Sequence, residues 1–416
     1  ASTRKLAQIA ADARPTEQRE IMINAVIIDA VRTAGGKRNG QLSGWHPADL
    51  AGEVLAQLAQ RSDLDPGIVD DVVFGCGSQV GDQAMNLGRN AVLGAGWPES
   101  VPATTVDRQC GSSQQAAHFA AQGVMSGAYD VAVAAGVELM STTPMGSSIQ
   151  AGKPFGPRMI ARYDLVGGLV HQGTSAEMIA DHWGLTRHDL DVYGAQSQQR
   201  AALATAEGRF DNEIVPVEVK RWNPETGEGI ATGALFDRDE GIRPDTSPET
   251  LARLRGAFRE DGKITAGNSS QITDGASAML IMSEERAKSL GLIPRARFHS
   301  FALAGVDPVM MLTGPIDATK KVLAKAGLTM DDIDVAEVNE AFASVVLAWQ
   351  HELEADLERV NVNGGAISLG HPIGASGTKL TATLLNELER SEGRYGLQVM
   401  CEGGGLANAM IIERLS

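Results

Sequence analysis

The chain's first strong pattern is Ala25-Val26-Ile27-Ile28-Asp29-Ala30-Val31, apolar but for one aspartate, which predicts a strand buried on both faces. The period then changes. From Pro47 to Gln60, Leu50, Val54, Leu55 and Leu58 share one face of a predicted helix. A strand over Asp71–Gly75, a short helix over Asn86–Leu93 and a strand over Thr104–Asp107 follow. Arg108-Gln109-Cys110-Gly111-Ser112-Ser113 then turns into a helix reaching about Met125, and Val131–Val137 makes another strand. Strands alternating with helices predict a parallel or mixed sheet covered by helices, an α/β fold.

Between Met140 and Ser270 the periodicity loosens into loops punctuated by Pro and Gly, with helices at Ser175–Trp183 and Arg187–Ala206 and a turn at Asn223–Gly227. A long insertion between sheet elements is a usual home for binding loops, and this one is read as a lid-like domain. Regular elements then resume. Strands are expected at Ala276–Met282, Arg295–Ala304, Asp334–Val338, Leu397–Met400 and Ala407–Ile412, with helices at Ile316–Ala326, Ala341–Gln350 and Ser376–Leu388. The two ends match. Each has a turn, a small-residue helix, a Gly-Xaa-Tyr element (Gly127-Ala128-Tyr129 and Gly393-Arg394-Tyr395) and a strand closing in glycine, so an internal duplication is expected. Four regions result: an N-terminal extension, 1–21; a first half, 22–141 with 272–293; a loop domain, 142–271; and a second half, 294–416.

Composition narrows the picture. The 416 residues suffice for two or three domain-sized units, and 47 glycines with 4% aromatics imply packing by small residues at short distance. A net charge of -16 disfavours nucleic acid or an anionic membrane as main partner. A phosphate-bearing small ligand would need local help, and Arg243, Arg253, Arg255 and Arg259 form one basic cluster. Cys76, Cys110 and Cys401 match neither a disulfide framework nor a metal spacing, which points to a reducing cytosol and a cytoplasmic location. No apolar run reaches the roughly 18 residues of a membrane span. The polar, mixed-charge start is read as an upstream extension and not as a transit peptide.

Candidate chemistry gathers in three glycine-bearing turns. Gly364 to Gly377 encloses His371 and opens a helix near Ser376; Cys401-Glu402-Gly403-Gly404-Gly405 carries a thiol; Cys110 stands directly before a helix, where free N–H groups are expected to lower its pKa. Taken singly, each has a plainer explanation, a tight turn or a small buried hydrophobe. Together, a thiol, a histidine base and backbone donors make an acyl-transfer set, and duplicated halves would bring Cys110 and His371 face to face. Cys76 is expected to be structural, His118 a core or interface histidine, and Glu340 a brace for Asn339 and His371.

Asp107-Arg108-Gln109-Cys110-Gly111-Ser112, Val338-Asn339-Glu340-Ala341-Phe342-Ala343, Gly364 to Gly377 and Cys401 to Gly405 resemble the signatures of the thiolase family, in order, from about Ala25 to the C-terminus. The resemblance implies a duplicated, five-layer α-β-α-β-α thiolase fold with an inserted loop domain, assembled as a homodimer or homotetramer. Cys110 would carry the acyl group, His371 would activate it, and Cys401 would move the α-carbon proton. Asn339 with His371 would form one oxyanion hole, and the N–H groups of Cys110 and Gly403 the other. Coenzyme A enters as substrate, with no metal and no tightly bound cofactor. Ala266-Gly267-Asn268-Ser269-Ser270 resembles the pantetheine-binding segment, making Ser270, Phe258, Arg243, His171 and Met311 the expected substrate and coenzyme A contacts. The activity implied is a degradative 3-ketoacyl-CoA thiolase, with a biosynthetic acetoacetyl-CoA thiolase or a non-catalytic lipid- or CoA-binding protein as alternatives. Two departures stand out: Gln172 where short-chain thiolases follow their histidine with Met, and Glu402 where many relatives are apolar. Ser270 to Gly275 and Arg359 to Asn363 are similar to bacterial thiolases of sterol and lipid breakdown, and so point to a bulky acyl group.

Overall fold

The computed structural model describes residues 23–150 and 152–415, so the expected extension at 1–21 lies outside it. Its strands are β1 (Ala25–Arg32), β2 (Gly36–Lys37), β3 (Asp71–Gly75), β4 (Ala103–Val106), β5 (Val131–Leu139), β6 (Val217–Asn223), β7 (Glu228–Phe236), β8 (Thr273–Ser283), β9 (Ala296–Gly305), β10 (Val335–Val338), β11 (Tyr395–Glu402) and β12 (Leu406–Arg414). The helices that position the site are α1 (Pro47–Arg61), α2 (Leu87–Gly94), α3 (Ser112–Met125), α4 (Gln172–His182), α5 (Arg187–Ala206), α6 (Gly314–Ala326), α7 (Ala343–Leu353) and α8 (Ser376–Ser391).

The main sheet runs β10-β11-β12-β9-β1-β8-β5-β3-β4 and is mixed: β3 pairs parallel with β4 and β5, β10 parallel with β11, and the rest antiparallel. The halves join edge to edge where β1 meets β9 at Val26/Arg297 and Ile27/Ala296. Alternation within each strand explains the unbroken apolar runs. On β5, Val131, Val133 and Val137 face one core while Ala132 and Ala134 face another. One core lies under α1 and α2; a central one holds α3 and α8 between the half-sheets; a third lies under α6 and α7, sharing Ala407, Ala409 and Ile411 of β12. Three apolar cores thus separate five layers, α-β-α-β-α.

The duplication is visible in single hydrogen bonds. Asp70 Oδ2, ahead of β3, accepts the N–H groups of Asp130 and Val131 at 2.7 and 3.0 Å; Asp334 Oδ2, ahead of β10, accepts those of Arg394 and Tyr395 at 2.7 and 2.9 Å. Each aspartate clamps the parallel strand beside its own. Val360 bridges Ala336 in parallel, holding the place beside β10 that β4 holds beside β3.

Close approach of the central helices accounts for the small residues. A Cβ on Gly377 of α8 would fall 2.0 Å from the backbone nitrogen of Gln114 on α3, and Thr378 N–H donates to Ser113 Oγ at 3.0 Å. No larger residue fits there. The turn at Asn223–Gly227 proves to join an antiparallel hairpin, β6 and β7, which the sequence reading treated as part of the loops. Most of β7 faces solvent, so no apolar alternation marks it.

Candidate active site

Cys110 is placed by a tight turn between β4 and α3. Asp107 Oδ1 accepts the Gln109 N–H at 2.7 Å; Ser112 Oγ accepts the Arg108 N–H at 2.9 Å and donates to the Gln109 carbonyl at 2.6 Å. Gln109 takes the left-handed conformation, φ 51°, that this crowding imposes. Cys110 is buried against Leu380, Met400 and Ile373, which brings it between the His371 and Cys401 loops. The helix end was expected to lower the Cys110 pKa, but the thiol is pushed up instead. Burial is the main cause, the neighbouring Cys401 and Glu402 charges add to it, and the Gly403 and Cys110 N–H groups oppose it. Backbone donors cannot offset the loss of water around a sulfur anion. Attack by this thiol therefore needs a base beside it.

His371 is fixed from its own loop and from β8. Its N–H donates to Thr273 Oγ1 at 3.1 Å and to the Gln271 carbonyl at 3.3 Å, while Gly370 at φ 82° packs where any Cβ would strike Thr273. Ser376 Oγ donates to the Pro372 carbonyl at 2.9 Å and lies 2.5 Å from His371 Nδ1. With its own proton committed, the hydroxyl accepts, so Nδ1 carries the imidazole proton and Nε2 the lone pair. Nε2 is buried and has no protein partner. Burial, with Lys379 adding, lowers the imidazole to about 3 and keeps it neutral. The result is a neutral, oriented imidazole with an unpartnered Nε2.

Asn339 ends β10, its N–H bonded to Val399 O at 3.0 Å; its Nδ2 reaches Cys401 Sγ at 3.6 Å, and its buried Oδ1 has no protein partner. Cys401 is fully buried at the end of β11. Burial raises it to about 12, the Asn339 amide opposing and Glu402 adding. Gly403 is half-buried, flanked by Gln109 Oε1 and Gln172 Nε2, each 3.2 Å from where its Cβ would stand. Cys110 of the first half thus meets Cys401 and Gly403 of the second, Asn339 lies beside Cys401, and the His371 loop reaches Cys110 through Ile373.

The loop segment supplies a second group. His171 caps α4, its Nδ1 accepting the Gly173 N–H at 3.1 Å, and stacks on Phe258 at 5.3 Å; Phe258 meets Phe342 edge-on at 6.0 Å. Ser270 N–H donates to Ala341 O at 2.9 Å, tying this segment to the Asn339 motif. Arg243 is exposed, whereas Met311, φ 41°, is buried in the core that also holds Ala176 and Phe342. Of the basic cluster, Arg259 is taken by Asp181 and Glu177, at 2.9 and 3.2 Å. Glu340 does not touch His371. It accepts from Tyr193, Ser197, Asn361 and the Ile367 N–H, bracing the backbone four residues ahead. Cys76 and His118 are buried. Ser376, Thr273 and Gln172 are not among the site residues expected from the sequence; Ser376 stands inside the histidine loop and Gln172 departs from the short-chain pattern, whereas nothing singles out Thr273 within its stretch.

Comparison with known proteins identifies the family. Residues 25–285 match the thiolase N-terminal domain and residues 292–414 the thiolase C-terminal domain. A steroid 3-ketoacyl-CoA thiolase of Mycobacterium tuberculosis is 50% identical over 403 residues, 95% of each chain. A 3-ketoacyl-CoA thiolase of Bacillus subtilis is 42% identical over 94% of this chain and all of its own length. Among solved structures, an acetyl-CoA acetyltransferase of Bacillus anthracis superposes with a TM-score of 0.84 at 38% identity, covering 95% of this chain and 99% of its own. With both domains matched, in order and nearly end to end, the chain belongs to the thiolase family.

Proposed function

We propose that this thiolase works in the degradative direction, cleaving a 3-ketoacyl-CoA with free coenzyme A into acetyl-CoA and a shortened acyl-CoA. The observation that carries the reading is the pairing of two buried thiols with an imidazole whose Nε2 is free. In the first half-reaction Cys110 Sγ attacks the keto carbon as His371 Nε2 takes its proton, and Asn339 with His371, or the N–H groups of Cys110 and Gly403, hold the oxyanion. The bond between the keto carbon and the α-carbon breaks, and the Cys401 thiol protonates that α-carbon to release acetyl-CoA. In the second, coenzyme A gives its proton to the Cys401 thiolate and attacks the acyl-Cys110 thioester, and Cys110 leaves with the proton held by His371. Every group returns to its starting state.

The loop domain, 142–271, is read as the coenzyme A-binding part, with Ser270, Phe258, Arg243 and His171 as contacts and Met311 as a further one; the stack of His171 on Phe258 supports this. The relative named a steroid thiolase favours a bulky acyl group. So do Met145, Ile149, Phe155, Ile160, Leu165 and Val166, exposed apolar residues on the segment that leads into His171. The reading as a homodimer or homotetramer is supported by β4, which ends the sheet with no further strand beside it among the described residues, Asn86 alone bonding to Ala103 O. The cytosolic reading rests on the free cysteines; no helix among the described residues is long and apolar enough to cross a membrane. Biosynthetic condensation of acetyl-CoA is the second reading, favoured by the name of the Bacillus anthracis structure. Steady-state thiolysis of a substrate panel decides between them. A longer or ring-bearing 3-ketoacyl-CoA should be preferred, and strong preference for acetoacetyl-CoA would overturn the proposal. Mass spectrometry should find the acyl adduct on Cys110 and lose it in Cys110→Ala.

A further inference from the structure

Glu402 takes no part in the scheme above, yet it is fully buried directly after Cys401, and neither carboxyl oxygen completes a hydrogen bond; the Asn408 N–H is the one backbone donor that faces it. It points at the nucleophile's turn. A Cβ on Gly111 would lie 2.0 Å from Glu402 Oε1 and 2.9 Å from Asn408 Nδ2, so the residue after Cys110 is held as glycine by this carboxyl and this amide. Asn408 Nδ2 donates to the Gly111 carbonyl at 3.0 Å, while Asn408 Oδ1 has no donor. The charged and titratable groups facing Glu402 are Asp107 and Arg108 from the Cys110 turn, with Cys110 and Cys401 themselves. Arg108 draws the Glu402 carboxyl toward its charged form, but it forms no ion pair with it and leaves its own buried Nε unpartnered, so burial dominates.

Burial outweighs the help that Arg108 and the Asn408 N–H give the carboxylate, and a group so desolvated keeps its proton instead. A neutral carboxylic acid, unlike a carboxylate, can supply a donor to a neighbour such as Asn408 Oδ1. We infer that Glu402 is a positioning residue for the nucleophile: as a neutral acid it steadies Asn408 and the Cys110–Gly111 turn, and as a carboxylate it opposes the charge forming on the two active-site sulfurs. The group thereby sets an alkaline limit on the site. This inference rests on Cys110 as nucleophile.

The test needs no acyl-CoA. Alkylation of Cys110 by iodoacetamide, read by peptide mass spectrometry from pH 7 to 10.5, compares the wild type with Glu402→Gln, which keeps the shape but cannot ionise. The ratio of variant to wild-type rate should climb with pH, by about threefold or more above the titration of Glu402. A flat ratio across the range would reduce Glu402 to a packing group and overturn the inference. Absence of a Cys110 adduct at every pH in both proteins would instead count against Cys110 as nucleophile, and with it the proposed reaction. Should Glu402→Gln fail to fold, Glu402→Leu removes the same charge and is read in the same way.

Discussion

At the scale of single residues, the site depends on which imidazole nitrogen holds the proton. Ser376 decides this through its bond to Pro372 O, so Ser376→Ala frees the ring to turn and to change tautomer. Its kcat should fall by about ten- to a hundredfold with KM changed less than about twofold, a split that steady-state kinetics resolves. The same imidazole leaves a mark on stability. His371 sits near 3 in the fold against an ordinary 6.5, so the unfolded chain binds the proton first as pH falls. Its contribution to stability is present above pH 6.5 and is lost as the pH drops toward 3. His371→Gln should therefore show a smaller loss of Tm than the wild type between pH 6.5 and 4, measured by calorimetry. The residue types were legible in the sequence, because thiols and an imidazole in glycine-rich turns announce themselves. The protonation of Cys110 was not: the expected helix-end effect is local, while the burial that defeats it comes from Leu380 and Met400, far along the chain.

At the scale of elements, strands and helices of the two halves fell where the apolar pattern put them, since each strand faces two cores and each outer helix one. The β6/β7 hairpin escaped because its side chains mostly face water and burial leaves no periodic signature there. Contact between α3 and α8 through Gly377 could not be read from local pattern either; only the duplication hinted that the two helices meet. That contact is tested by Gly377→Ala. The added methyl would meet backbone, not the end of a flexible side chain, so the helices must separate. A loss of about 3 kcal/mol or more is expected in denaturant unfolding, with activity lost at lower denaturant than global structure.

For the molecule as a whole, the outer edge of β4 is the most direct lead to assembly. Thr104 is exposed on that edge, and Thr104→Lys places a charge where a second β4 would pair. Sedimentation velocity should then show a smaller species than the wild type. An unchanged distribution would move the interface elsewhere.

The order of the strands also says something about how the protein is made. β12, the last strand in the chain, lies inside the sheet between β11 and β9, and β9 is in turn the strand that joins the first half. While the chain is being synthesised, β10 and β11 can pair, the first half can close and α8 can dock on α3, but the sheet itself stays divided until β12 pairs with both β11 and β9. Cys401 then becomes buried beside Cys110 in the same event that locks the sheet. The two thiols therefore acquire their shared surroundings only once β12 is in place, so a chain stalled before that strand would leave Cys110 and Cys401 without them.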